Sequence, residues 1–466
     1  MERTRRTLVC GLAVSLLIVA AARGQTECGA PAGGDVIIGD IGAVANYSSA
    51  GGIAAFSMGN TLCNVGTAPL NFAASTNQHP VSGQNLFRLK SVNGAPRFEQ
   101  IGQSWLHHEF FALSGAFCCT ECQPTDGSHL GVRCSSPTTA SSEGYQQAAG
   151  PKYQLNAATG MFPYPPANPA FGGPIARRLQ VKIADIDPAQ DGGGMYFAEL
   201  QVVSPDDAAA GHKNNNASYR PCSFAGGGAS WTMALSGATQ RERQGIRAWK
   251  DADSSVSESE AQVPGDGLFI LAAKATPLGS GVWHYEYALA NMNSDRSGQS
   301  FSVSIPVGAA LSNIGFHDVD YHDGDGGGNV NFDGTDWPAT IAGGTITWTT
   351  QTFAENANAN ALRWGTLYNF RFDIAALPIT GNVTLGLFKP GSPTSVTLAA
   401  PVPGFAFGDF DGDGDVDLAD FAHVPACLTG PIAGPLAPGC APFDSDSDSD
   451  VDLHDAAVFG NLLTGP

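Results

Sequence analysis

Positive charge is scarce in this sequence. Its 466 residues carry 23 Lys and Arg against 43 Asp and Glu, a formal net charge of -20. So little basic surface argues against a nucleic-acid partner, because phosphate recognition draws on many Lys and Arg. From residue 404 onward there is no Lys or Arg at all, while twelve aspartates stand there. Long apolar runs are missing too. The one at residues 8–22 is too short for a spanning helix, so no membrane span is expected. Several catalytic signatures are absent: G-x-S-x-G, the phosphate-binding glycine loop, the dinucleotide fingerprint and H-E-x-x-H. Composition therefore points away from phosphate chemistry and towards cations.

What is abundant is glycine, with 58 residues. Together with many Thr, Ser, Asn and Val it favours short strands and tight turns. Length suggests roughly three domains. The runs 35–41, 177–187 and 195–203 read as strands, being β-branched or alternating and bounded by Gly, Asp or Pro. Between Gly226 and Val402, seven further runs are separated by Gly, Asn, Pro and Asp, and several alternate with period 2: LFILAAKA, VWHYEYALA, FSVSIPV, GTITWTTQTF, LYNFRFDIAAL, NVTLGLF and SVTLAA. Seven short strands with turn residues between them form the pattern of a β-sandwich. The acidic stretch 250–267 reads as an exposed loop or a linker, and 161–174 as a proline-rich loop. The expected fold is mainly β: a β-sandwich-like ectodomain of one or two parts, then a small helical module. The expected divisions are a Gly/Asn-rich, Cys-containing region at 25–224, a sandwich-like domain at 225–402, and the acidic tail at 404–466.

The first residues, MERTRRTLVCGLAVSLLIVAAARGQ, place three arginines before the apolar run and small residues after it. That order is a secretory signal peptide over 1–24, and it implies a secreted or cell-surface protein. Nine cysteines follow the leader, seven of them in the first half. In an oxidising compartment they are read as disulfides of undetermined connectivity, with one of the seven left over. CCTEC (118–122) also permits a zinc site, which the compartment disfavours.

The tail is the most specific signal. GDFDGDGDVDLADF (408–421) crowds six aspartates together. Two carboxylates about 4 Å apart repel by on the order of 1 kcal/mol even in water. Counted from Asp409, acids occupy positions 1, 3, 5, 7, 9 and 12: Asp409, Asp411, Asp413, Asp415, Asp417 and Asp420, with Gly414 at position 6 and Val416 at position 8. This is the spacing of a calcium loop, in which six to eight oxygens surround one ion. The register repeats 35 residues later in Asp444, Asp446, Asp448, Asp450, Asp452 and Asp455, with Val451 at position 8. Each loop runs into an apolar stretch long enough for a short helix.

A duplicated loop and helix at a C-terminus resembles the type I dockerin module. The resemblance covers about 409–463. It implies two Ca²⁺ ions held by those twelve aspartates, folding coupled to the metal, and docking onto a cohesin-like domain. Ser449 replaces glycine at position 6 of the second loop, which predicts a strained turn. Pro425 predicts a broken first helix. Positions 10 and 11, which read the partner in that family, hold Leu418-Ala419 and Leu453-His454. Val416, Phe421, Leu428, Val451, Phe459, Leu462 and Leu463 are the expected apolar anchors, and Cys427 and Cys440 are placed to bridge.

Outside the tail, His107, His108 and Glu109 offer ligands or an acid–base pair. His317, Asp318, Asp320 and His322 lead into an Asp- and Asn-rich glycine loop, read either as a metal site or as a polar hairpin. Two functions follow. One is a non-catalytic binding or structural ectodomain, with carbohydrate a possible ligand, tethered by the calcium tail. The other is a secreted polysaccharide-degrading glycoside hydrolase, with its carboxylates among Glu109, Glu199 and Glu286. Catalytic residues are not legible.

Overall fold

The computed structural model describes residues 28–29, 31–166, 172–320, 332–404, 407–409, 416–431, 436, 440, 443–446 and 448–463. The expected signal peptide, residues 1–24, lies outside them, as do His322 and Asp411, Asp413 and Asp415. The chain is mainly β, with a small helical tail.

The N-terminal unit is an eleven-stranded sheet. Its path runs Val36–Ala50, Ile53–Asn64, Leu179–Lys182, Ala95–Gln103, Val81–Val92, Met195–Val203, Ala217–Gly227 and Ser230–Leu235. Leu106–His108, Ser135–Thr138 and Ala149–Gly150 pair off that path. The two end strands curl back towards each other. The Met233 N–H donates to Asn46 Oδ1, the Ser218 hydroxyl to the Ile38 carbonyl, and Arg220 to the Ile41 carbonyl. Position 224 falls inside Ala217–Gly227, so this sheet continues to Leu235.

The C-terminal unit is a sandwich of two five-stranded sheets. One runs Ser257–Gln262, Leu268–Gly279, Val282–Asn291, Thr366–Ile374 and Leu311–His317. The other runs Ala339–Ala342, Thr345–Thr349, Gly298–Ser304, Leu377–Leu387 and Ser395–Gly404. All seven runs read from the sequence are among these ten strands. The additional three, Ser257–Gln262, Leu311–His317 and Ala339–Ala342, each lie at a sheet edge. An edge strand has one neighbour and leaves much of its surface in water, so its apolar signal is weak. The stretch 250–267 is accordingly neither loop nor linker throughout: it ends a helix, Arg247–Ala252, and then forms an edge strand. The 177–187 run is a strand only over Leu179–Lys182. Ile183–Ile186 is helical, and Asp187 then caps a further turn that has Pro188 in its first positions.

Period-2 alternation decides how the two units meet. In Val282–Asn291, Tyr285, Tyr287 and Leu289 fill the sandwich core, while Ala288 faces a second core shared with the N-terminal sheet. That shared core contains Phe87, Phe98, Phe197 and Trp249 from the N-terminal side and Leu268, Ile270, Ala272 and Leu367 from the other. Leu86, the neighbour of Phe87, points instead into the N-terminal unit's own core. Polar ties cross the junction: Arg97 to Glu286 at 3.2 Å, Asn369 Nδ2 to the Phe98 carbonyl at 2.6 Å, and the Leu367 N–H to Gln100 Oε1 at 2.7 Å.

Four disulfides form: Cys28–Cys119, Cys63–Cys118, Cys122–Cys134 and Cys427–Cys440. The CCTEC cysteines are thus bridged and offer zinc no thiolate. Cys222 is the residue left over. It is buried, and desolvation pushes its thiol pKa well up, so it is a packing residue rather than a nucleophile.

Candidate functional site

In the tail, both helices begin in the same way. Leu418–Phe421 is preceded by Asp417, whose carboxylate accepts from the Ala419 N–H at 2.7 Å. Asp420 in turn accepts from the Asp417 N–H at 2.9 Å. Leu453–Gly460 repeats this with Asp452 and Asp455: the His454 N–H donates to Asp452 at 2.6 Å and the Asp452 N–H to Asp455 at 2.8 Å. The two cap residues share nearly one backbone conformation, φ -133° and ψ -159° against φ -127° and ψ -159°. Each pair is a capping box, with an acid three residues into the helix reaching back to the cap. Loop positions 9 and 12 are therefore fixed alike in both halves.

Pro425 ends the first helix as expected. Leu418–Phe421 stops, and a separate turn, Val424–Cys427, starts with the proline in its first positions, where its missing N–H costs nothing.

The second loop is described almost in full. The Asp444 carboxylate accepts from the Asp448 and Ser449 N–H groups at 3.2 and 3.1 Å, which folds the chain around position 1. Asp455 accepts from both the N–H and the hydroxyl of Ser445, at 2.6 and 2.8 Å. Oxygens of Asp444, Asp446 and Asp455 lie within 4.8 Å of one another, and so do those of Asp450, Asp452 and Asp455. Asp448 is engaged locally, accepting from the Asp450 N–H at 3.0 Å. Asp446 is held above the ordinary aspartate pKa, by desolvation and then by the neighbouring Asp448 charge. Asp455 is pulled below it: burial opposes this, but the N–H groups of Asp452 and Ser445 outweigh it.

Ser449 takes φ +75°, the left-handed conformation that position 6 requires. A side chain there costs about 1 kcal/mol relative to glycine. If the second loop holds Ca²⁺, as the resemblance implies, Ser449→Gly is expected to tighten that binding about fivefold by calorimetry. An unchanged or weaker second affinity would contradict the strain.

Of the first loop, Asp409, Asp417 and Asp420 are described. Asp409 and Asp420 are both about 1% exposed, a costly place for a carboxylate unless a cation compensates it. The module's apolar core is Val416, Val424, Phe443, Val451 and Phe459 with the Cys427–Cys440 bridge. Phe421, Leu428, Leu462 and Leu463, expected as anchors, are instead between 41% and 48% exposed. Phe443 was missed because it stands alone between proline and the aspartates, with no periodic neighbour. Thr429 was missed as well. Its hydroxyl accepts from the Val451 N–H, and its own N–H donates to the Val451 carbonyl, both at 3.0 Å.

The candidates in the His317 stretch, Glu199, Glu286 and His108 have structural partners. Asp318 is bonded by Asn360 Nδ2, and burial raises its pKa to about 6. Asp320 pairs with Lys182, and His317 bonds the Gln100 carbonyl, so these three side chains point to different partners. Glu199 accepts from Asn85 and the Gly245 N–H, and Glu286 is held by Arg97, His284 and Asn369. Both are buried in the packing between strands. His108 is buried against His79, with their ring nitrogens 2.9 Å apart. Desolvation and the neighbouring imidazole lower its pKa to about 3. The chain matches no known family model and no curated protein.

Proposed function

We propose that this is an exported multimodular protein whose tail binds two Ca²⁺ ions and docks onto a cohesin-like domain. In this reading the β-rich body it carries serves a binding or structural role. The observation that carries the reading is the duplicated helix entry, with position 9 capping and position 12 reaching back in both loops. The resident groups suit calcium: hard oxygen donors only, gathered at spacings a metal can bridge. The sequence of the tail contains no Lys or Arg to offset them. The four disulfides fit an oxidising compartment.

Docking is supported by what the helix starts display. Leu418 and Leu453, at position 10 of each loop, are 70% and 83% exposed. Two leucines in water at equivalent positions suit an apolar patch on a partner. Titration calorimetry of the mature chain should give two Ca²⁺ sites. Asp409→Ala should remove one of them and leave the other within about threefold. No heat at millimolar Ca²⁺ would overturn the reading.

A further inference from the structure

Inside the N-terminal sheet lies a second group of ligand-type side chains, remote in sequence from the tail. His107 and Glu109 come from Leu106–His108 and the residue after it. Glu143 ends the short helix Ala140–Glu143, which Thr139 caps. One ring nitrogen of His107 and one oxygen from each carboxylate lie within 4.8 Å of one another. All three residues are buried, with 9%, 4% and 6% exposure respectively.

Two carboxylates in such a place repel, and neither has the usual remedy. Among the described residues no Lys or Arg forms an ion pair with Glu109 or Glu143. The surroundings instead supply neutral donors that orient the oxygens. Asn60 Nδ2 donates to both carboxylates, at 2.9 and 2.6 Å. Thr138 donates to Glu109 at 3.0 Å, Gln84 to Glu143 at 3.2 Å, and Ser82 reaches both. A ring of hydrogen bonds behind the ligands is how proteins hold metal-binding carboxylates.

The independent observation concerns the imidazole. His107 Nδ1 is fully enclosed and has no hydrogen-bond partner among the described residues. A buried ring nitrogen with nothing to bond costs about 1–3 kcal/mol, so it calls for an explanation.

We propose that His107, Glu109 and Glu143 form a binding site for one first-row divalent metal ion, of the zinc class. Imidazole with two carboxylates suits zinc and its neighbours, whereas calcium takes oxygen ligands. The ion's two positive charges cancel those of the two carboxylates. A tetrahedral ion binds at about 2.0–2.2 Å, which places its ligands roughly 3.4 Å apart, so small side-chain rotations close the site. Three protein ligands leave a fourth position open. The competing account is a carboxyl pair that shares a proton, with Glu143 as the protonated member.

Zinc counting on the mature full chain separates the two. The protein is stripped, returned to excess Ca²⁺ so that the aspartate loops are filled, equilibrated with micromolar Zn²⁺, and measured by elemental analysis. One zinc per chain is expected, falling at least tenfold in affinity in Glu143→Gln and in His107→Ala. Cobalt substitution should give visible absorption in the wild type and lose it in both variants. Glu143→Gln mimics the protonated acid and so preserves the fold in either account; circular dichroism checks this, and His107→Gln replaces it if it does not fold. Zinc content equal in wild type and variants, or no zinc at all, would overturn the site and leave the shared proton.

Discussion

Chelating calcium from the mature chain should unfold residues 404–466 while both β-units stay folded. The reason is the size of the tail's core. Among the described residues seven make up its buried apolar cluster, two of them the bridged cysteines Cys427 and Cys440. A domain of that size is marginal without a staple or a metal. Against this small core stand, among the described residues, four buried aspartates, Asp409, Asp420, Asp450 and Asp455. In the absence of an ion their mutual repulsion and desolvation oppose folding. On the proposed reading, calcium at a hundred times its dissociation constant would contribute about 2.7 kcal/mol per site, so two sites would supply about 5 kcal/mol, comparable to a small domain's whole stability. Limited proteolysis should cut the tail at least tenfold faster in EGTA than in calcium, with helical signal lost in parallel. Equal cleavage rates in both conditions would mean that the aspartates are only a solvated surface.

Breaking Cys63–Cys118 should destabilise the N-terminal unit more than breaking Cys122–Cys134. The bridge spans 55 residues, and chain-entropy reasoning gives about 4 kcal/mol for a loop of that length, against about 3 kcal/mol for the 12-residue span of Cys122–Cys134. The bridge is also part of the packing. Gly39 lies so close that an added Cβ would come within 2.2 Å of Cys118 Sγ and 2.5 Å of Cys63 Sγ. Cys63 itself is fully buried beside Ile37 and Val65. Replacing both cysteines with serine removes the cross-link and puts hydroxyls into that apolar cluster. The melting temperature of this unit should fall by roughly 10 °C, from about 2–4 °C per kcal/mol at this size. A shift under about 2 °C would show that the unfolded state gains little freedom when the loop opens.

The sequence by itself determined the features that repeat over short distances. The strands over Leu268–Gly279, Val282–Asn291 and Thr366–Ile374 were legible because alternation is local, and a central strand is apolar on its buried faces. A short helix after each aspartate loop was legible from the apolar runs 421–428 and 456–463, but its start was not: each helix begins at position 10 of its loop, Leu418 and Leu453, where an acid caps it. Edge strands such as Ser257–Gln262 were not, since half of their surface meets water and their composition resembles a loop. Which apolar residues of the tail enter its core was also not legible. Phe421 sits in an apolar run and was expected inside, yet it is half exposed, while the isolated Phe443 is buried. Only the tertiary structure decided that the two β-units share one core, and that Glu143 comes to lie beside Glu109. Those side chains are 34 residues apart, and no periodic signal links them. Both juxtapositions arise from strand order, which is set by burying whole sheet faces together. That quantity is a sum over many distant residues, so no short window of sequence carries it.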